Sequence, residues 1–128
     1  KKIEILEYPN LYDENKKIAL NFKYYYDEEI LRLNSLIDNF DGNLYLFGGT
    51  GFSIYLIVLG IKTDKVICIL DNDPKKEDKK VYGTKFIVKN PTIIKDKDNV
   101  AVILKAASYQ EEIETQLREL NPNVKILS

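Results

Sequence analysis

The sequence predicts an α/β fold: a parallel sheet of four or five strands with helices on both faces. Three observations carry that prediction. Short apolar runs at 44–47, 66–70, 100–104 and 124–127 read as buried strands. Segments of helical period stand between them, the alternation expected of a parallel sheet. The run LYLFGGTGFSIYLIVLGIKTDKVICILDND, from Leu44 to Asp73, reads as strand, glycine turn, buried helix, strand and acidic turn. That order is the opening βαβ unit of a Rossmann-like doubly wound sheet.

The elements follow in order. Ile3, Ile5 and Leu6 suit a short edge strand, and Pro9-Asn10 and Asp13-Glu14-Asn15 suit turns. Ile30, Leu33, Ile37 and Phe40 recur at helical spacing and predict a helix over 26–40. Asp27, Glu28 and Glu29 favour its positive N-terminal end, and Gly42 suits a left-handed position after its last turn. A strand over 44–47 runs into Gly48-Gly49-Thr50-Gly51, and the apolar stretch 52–59, closed by Gly60, predicts a helix buried against the sheet. The β-branched run 66–70 is the second strand. A short strand is expected near 85–88, and Asn90-Pro91 precedes a helical turn at 92–94. After the strand at 100–104, Ser108 and Glu111 match a capping box, and Tyr109, Ile113, Leu117 and Leu120 mark the apolar face of the helix that follows. Asn121-Pro122 ends it before a last strand.

Composition bounds the function. The chain has 128 residues and is 45% apolar, enough for one domain with a real core. Residues 1–26 are expected to be a connector or the remnant of a preceding domain, and 27–128 the domain itself. The chain does not open with Met, and a longer polypeptide is expected. Lys+Arg 19 against Asp+Glu 20, a net charge of −1, gives no general pull toward nucleic acid. The longest apolar stretch is far shorter than the roughly 20 residues a membrane helix takes. No histidine is present, which excludes a Ser–His–Asp triad, a Cys–His pair and any His-ligated metal within this chain. The single cysteine, Cys68, reads as a small core residue and suits a reducing, cytoplasmic setting.

Two constellations point to a ligand. Gly48, Gly49 and Gly51 allow a tight turn and close backbone approach, while Thr50 and Ser53 add hydroxyls near a helix start where an anion can sit. Ile54 stands where the dinucleotide pattern has its last Gly or Ala, and a tight βα turn without a ligand is the alternative reading. Asp71 follows Gly51 by twenty residues, the spacing at which an acid bonds ribose hydroxyls. Asp71, Asn72 and Asp73 are equally good turn formers before Pro74. As an exposed turn carboxylate, Asp71 would matter to affinity and little to stability. Ala106-Ala107-Ser108-Tyr109, after the fourth strand, would line the crevice, with Ser108 also a helix cap. The cluster Phe22, Tyr24, Tyr25 and Tyr26 suits an interdomain or oligomer contact better than base stacking.

From about Asp27 onward the chain resembles the Rossmann-like C-terminal domain of bacterial sugar C-methyltransferases. The resemblance rests on the leading helix, LYLFGGTG, DNDPKK at 71–76, VYGT at 81–84 and VAVILKAASYQEEI at 100–113. It implies a non-catalytic domain that touches a nucleotide-linked sugar. It also implies that S-adenosylmethionine and the methyl-transfer residues belong to an N-terminal methyltransferase domain of the same polypeptide. The ligand contacts would come from Gly48, Gly49, Thr50, Gly51, Ser53 and Asp71, with Ser108 and Tyr109 in the crevice. Two other families are similar: the nucleotide-sugar-binding domain in front of sugar acyltransferases, and the NAD(P)-dependent reductases and epimerases. The latter's Tyr-x-x-x-Lys spacing occurs only at Tyr12 and Lys16, ahead of the glycine turn. A domain-pairing module with a vestigial phosphate site is the remaining alternative.

Overall fold

Strand β1 (Asn43–Phe47) is the centre of the sheet because its side chains are apolar without alternation. Leu44 and Leu46 are buried toward one face, Tyr45 and Phe47 toward the other. Such a strand needs a layer above and below it. The computed structural model describes residues 11–49 and 51–128. Around β1 it arranges α1 (Tyr12–Asn39), α2 (Gly51–Leu59), β2 (Val66–Leu70), β3 (Val88–Lys89), β4 (Val100–Ile103), α3 (Gln110–Leu120) and β5 (Lys125–Leu127), with 3-10 turns at Pro91–Ile94 and Ala107–Tyr109. The five strands pair in parallel throughout, in the order β3-β2-β1-β4-β5. The expected α/β architecture is therefore present. The strand expected around Ile3–Leu6, the turn at Pro9-Asn10, and Thr50 lie outside the described residues.

Each face has its own core. Ile30, Leu33 and Ile37 of α1 and Leu56 of α2 pack with Leu44, Leu46 and Ile69. On the other face Leu117 of α3 and Ile94 pack with Tyr45, Val102 and Leu104. Cys68 is buried in this second core, where desolvation pushes its thiol pKa up. A thiol in that state is unreactive.

Four local expectations are corrected. Strand β2 was expected to be buried throughout, but Leu44 pairs with Val66 and Leu46 with Ile69, so β2 holds one extra residue. This bulge turns Ile67 out to 54% exposure and lets Cys68 and Leu70 reach the α3 face. Gly42 does not adopt the left-handed conformation. It is glycine because a Cβ there would lie 2.5 Å from the Asn99 carbonyl oxygen and from its Nδ2. The Ser108 capping box does not form: α3 starts at Gln110 with Tyr109 at its N-cap and no side-chain cap bond. Helix α1 begins at Tyr12 instead of near Tyr26, so the expected turn at Asp13-Glu14-Asn15 is helical and the helix runs unbroken across position 26/27.

That last difference has a physical reason. Tyr12, Ala19, Phe22 and Tyr26 extend the stripe of Ile30, Leu33 and Ile37 at helical spacing. The helix is thus about 42 Å long at 1.5 Å per residue. Only its C-terminal part has the sheet beneath it; residues 11–25 are all exposed, Tyr24 and Tyr25 among them.

The C-terminal end of α1 has no basic residue in its last turn. Lys65, which precedes β2, fills that role from a distance: its Nζ donates to the carbonyls of Phe40 (3.1 Å), Ile37 (3.3 Å) and Asp38 (3.4 Å). Carbonyls at a helix end lack intrahelical partners and carry the negative end of the dipole. Lys65→Met keeps the aliphatic stem and removes the ammonium. It is expected to cost about 1 kcal/mol of stability, read as a lower urea midpoint with an unchanged slope.

Candidate functional site

Helix α2 follows β1 onto one face of the sheet, and α3 follows β4 onto the other. Between the carboxyl ends of β1 and β4 the connections therefore diverge, which is where open α/β sheets form a ligand crevice. A cavity of about 870 Å³ opens there, large enough for a small organic ligand.

The glycine turn stands at the edge of this crevice. Gly48 has φ 107, a conformation that favours glycine, and its N–H donates to the Leu70 carbonyl at 2.7 Å. Gly49 donates its N–H to Asp71 Oδ2 at 2.6 Å. A Cβ on Gly49 would come within 3.0 Å of that same oxygen. Sequence reasoning paired these residues through a shared ligand; they instead meet directly. Asp71 is also bonded on its other side: Oδ1 accepts from the Asp73 N–H at 2.8 Å, and Lys76 Nζ donates to Oδ2 at 3.2 Å. Burial raises the Asp71 pKa, but the two backbone N–H groups and the Lys76 ammonium outweigh it and hold the carboxyl below its ordinary value. The neighbouring Asn72 exchanges two side-chain hydrogen bonds with Gln116, at 2.8 and 2.7 Å, which ties the acidic turn to α3.

Ser53, expected to offer a hydroxyl to the ligand, is fully buried and donates to the Phe47 carbonyl at 3.0 Å. It holds α2 onto β1. Ser108 and Tyr109 are exposed on the 3-10 turn, with Tyr109 at 60%. Neither lines the cavity; of the expected site residues that are described, Gly51 alone does. A Cβ on Gly51 would meet nothing within 4 Å.

The cavity is built from side chains that sequence reasoning passed over. Helix α2, expected to be buried, hides only Ser53 and Leu56 and leaves Phe52 and Tyr55 about half exposed. Those two rings form one wall. Tyr25 and Tyr26 of α1 form the adjoining wall, with Tyr26 edge-to-face on Tyr55 at 5.8 Å between centroids. Lys105, two residues after β4, also lines the cavity. Its Nζ bonds Glu29 Oε2 at 2.8 Å, and Arg32 Nη2 bonds the same oxygen at 2.8 Å. The Arg32 hydrogen bond, then that of Lys105, holds the Glu29 pKa down to about 2. Gln110 braces the backbone on either side of Lys105: its Oε1 accepts from Ala106 N at 2.9 Å, and its Nε2 donates to the Leu104 carbonyl at 3.2 Å and to Glu114 Oε1 at 3.0 Å. The loop it braces holds Ala107 at φ 48, in the left-handed region, where an alanine costs about 1 kcal/mol. A local strain of this kind marks a segment fixed by its surroundings.

Comparison with family models, curated proteins and solved structures finds no match to this chain.

What the site can do chemically is therefore read from its own groups. Among the described residues, no three His, Cys, Asp or Glu side chains gather as they do around a metal ion. No helix among them is long and apolar enough to cross a membrane. The site offers aromatic faces, an amide, two carboxylates and an ammonium.

Proposed function

We propose that this chain is a Rossmann-like, doubly wound binding domain that holds a nucleotide-linked sugar for an S-adenosylmethionine-dependent methyltransferase domain of the same polypeptide. The observation that carries the reading is the cavity at the carboxyl ends of β1 and β4, where the strand order reverses. Its role is to orient the ligand. Methyl transfer and the cofactor would belong to the other domain, and no residue of this chain is assigned to them.

Two further features support the proposal. The acidic turn of the resemblance, DNDPKK, is the segment that braces the glycine turn, through Asp71 and Lys76. The aromatic residues left exposed on α1 outside the cavity, Phe22 and Tyr24, suit contact with a neighbouring domain. A cytoplasmic setting fits a nucleotide-sugar ligand and an unpaired, buried Cys68.

The domain-pairing alternative has one observation in its favour: both oxygens of Asp71 are engaged within the fold. The same fact weighs against an NAD(P) reductase, in which this acid would hold ribose hydroxyls. An amide NMR titration with dTDP-, UDP- and GDP-sugars, S-adenosylmethionine and NAD(H) separates the readings. Shifts at Gly48, Gly49, Gly51 and the cavity walls are expected with a nucleotide sugar. Shifts with NAD(H) alone would replace the proposal by the reductase reading, and silence with all of them would mean a site completed only by the partner domain or a domain-pairing role.

A further inference from the structure

We propose that the cavity receives the sugar ring of such a ligand, stacked in the corner made by Tyr26 and Tyr55. The inference rests on the nucleotide-sugar reading and adds which part of the ligand enters the cavity.

Charge is the first argument. The titratable side chains that line the cavity are the carboxylates of Glu29 and Glu114, the Lys105 ammonium and the tyrosine phenols. Lys105 and Arg32 both meet the Glu29 carboxylate oxygen at 2.8 Å. With Glu114 on the same wall, these four side chains carry no surplus of positive charge to draw a diphosphate in. A neutral polyol needs none.

Ring geometry is the second. Tyr26 lies at 78° to Tyr55 and at 89° to Tyr25. These rings make a corner, with no parallel pair to sandwich a flat base. A saturated ring presents C–H groups on its faces and its edges, and these positively polarised hydrogens suit the negative faces of aromatic rings. A corner can thus hold a pyranose from two sides.

Hydrogen-bonding capacity is the third. A sugar hydroxyl donates one bond and accepts two. Glu29 and Glu114 accept, Lys105 donates, and Gln110 Oε1, which accepts once from the Ala106 N–H, has a second lone pair to accept with. All four line the same cavity as the aromatic corner, and polar groups converging on an apolar floor are what fix a ligand's orientation. The Glu29 carboxylate bonds both Arg32 and Lys105, so Lys105 can turn to a hydroxyl without leaving Glu29 unpaired.

The test uses the whole chain with methyl glycosides of glucose, galactose, rhamnose and fucose, beside UDP, GDP and dTDP lacking a sugar. At least one glycoside is expected to shift the amides of Phe52, Tyr55 and Gln110, and the sugarless diphosphates to leave those three in place. Tyr55→Ala and Phe52→Ala are each expected to weaken that glycoside about tenfold, the scale of one lost aromatic contact. Both side chains are half exposed, so an unchanged dispersion of the remaining amides is the check on folding; Glu114→Gln, which keeps the shape and removes the charge, should weaken binding if Tyr55→Ala fails to fold. The proposal is overturned if no glycoside moves the three amides, or if a sugarless diphosphate moves them as a nucleotide sugar does. Nucleotide sugars that bind at Gly49 and Gly51 without touching the three amides would sink this inference and leave the nucleotide-sugar reading standing. Glycosides that bind as tightly as their nucleotide forms would do the reverse.

Discussion

Leu46→Ala is expected to lower the stability of the domain by about 3–4 kcal/mol, the upper range for a leucine removed from a core that cannot collapse. Leu46 is fully buried in the central strand and pairs with Ile69 on one side and Ile103 on the other. Its side chain shares a core with Leu33 and Ile37 of α1 and Leu56 of α2. The backbone of β1 is held on both edges, so the void left by three lost carbons cannot be filled by shifting the strand. A single-domain protein holds only about 5–15 kcal/mol in total. The loss should therefore appear as a large drop in the urea midpoint with little change in slope. A loss below about 1 kcal/mol would mean that this core is loose enough to repack.

The second large effect lies at the glycine turn. Asp71→Ala is expected to cost about 2–3 kcal/mol, because hydrogen bonds to a charged group are worth about 1.5–3 kcal/mol and removing the acceptor strands its donors. The stranded donors are the N–H of Gly49 and of Asp73 and the Lys76 ammonium. The sequence alone suggested an exposed turn carboxylate with almost no role in stability. The Asp71 side chain is in fact only 13% exposed, and the expectation changes with it. Asp71→Asn should fall between the two, since it keeps an acceptor and loses the charge.

The acid side of the stability curve checks the same bonds. The Asp71 pKa is lower in the folded state than in the unfolded chain. A group with a depressed folded pKa adds stability that is whole above its unfolded value, about 4 for Asp. That stability is lost as pH falls through the lower folded value. The difference between the parent protein and Asp71→Asn should therefore be largest above about pH 5 and shrink below about pH 4. A difference independent of pH would show that the charge of Asp71 plays no part.

The sheet was legible in the sequence because its signals are local. The runs at 44–47, 66–70 and 100–104 are apolar without alternation, and that alone marks a strand covered on both faces. The glycine turn was legible for the same reason. The arm of α1 was not. Lys16, Lys17 and Lys23 interrupt its apolar spacing, and Asp13-Glu14-Asn15 are turn formers read in isolation. The cavity was harder still, since the Glu29–Lys105 pair joins residues 76 apart. One signal was available: Lys105 is a lone cation at the end of an apolar strand, where the crevice of such a sheet lies. Helix α2 misled in the opposite direction. Its uniform apolarity read as burial, while Phe52, Tyr55 and Val58, three residues apart, face outward.

Helix α1 also has a mechanical property. Its sheet-supported part begins at Ile30, and the residues it contributes to the aromatic wall and the ion pair, Tyr25, Tyr26 and Glu29, come just before that point. The wall therefore sits beside the fulcrum of a lever whose long arm is residues 12–24. A tilt of about 5° about Ile30 would displace the tip at Tyr12, about 27 Å away, by about 2 Å and the wall by a fraction of that. The cavity wall is thus the part of the unsupported arm that such a tilt would disturb least.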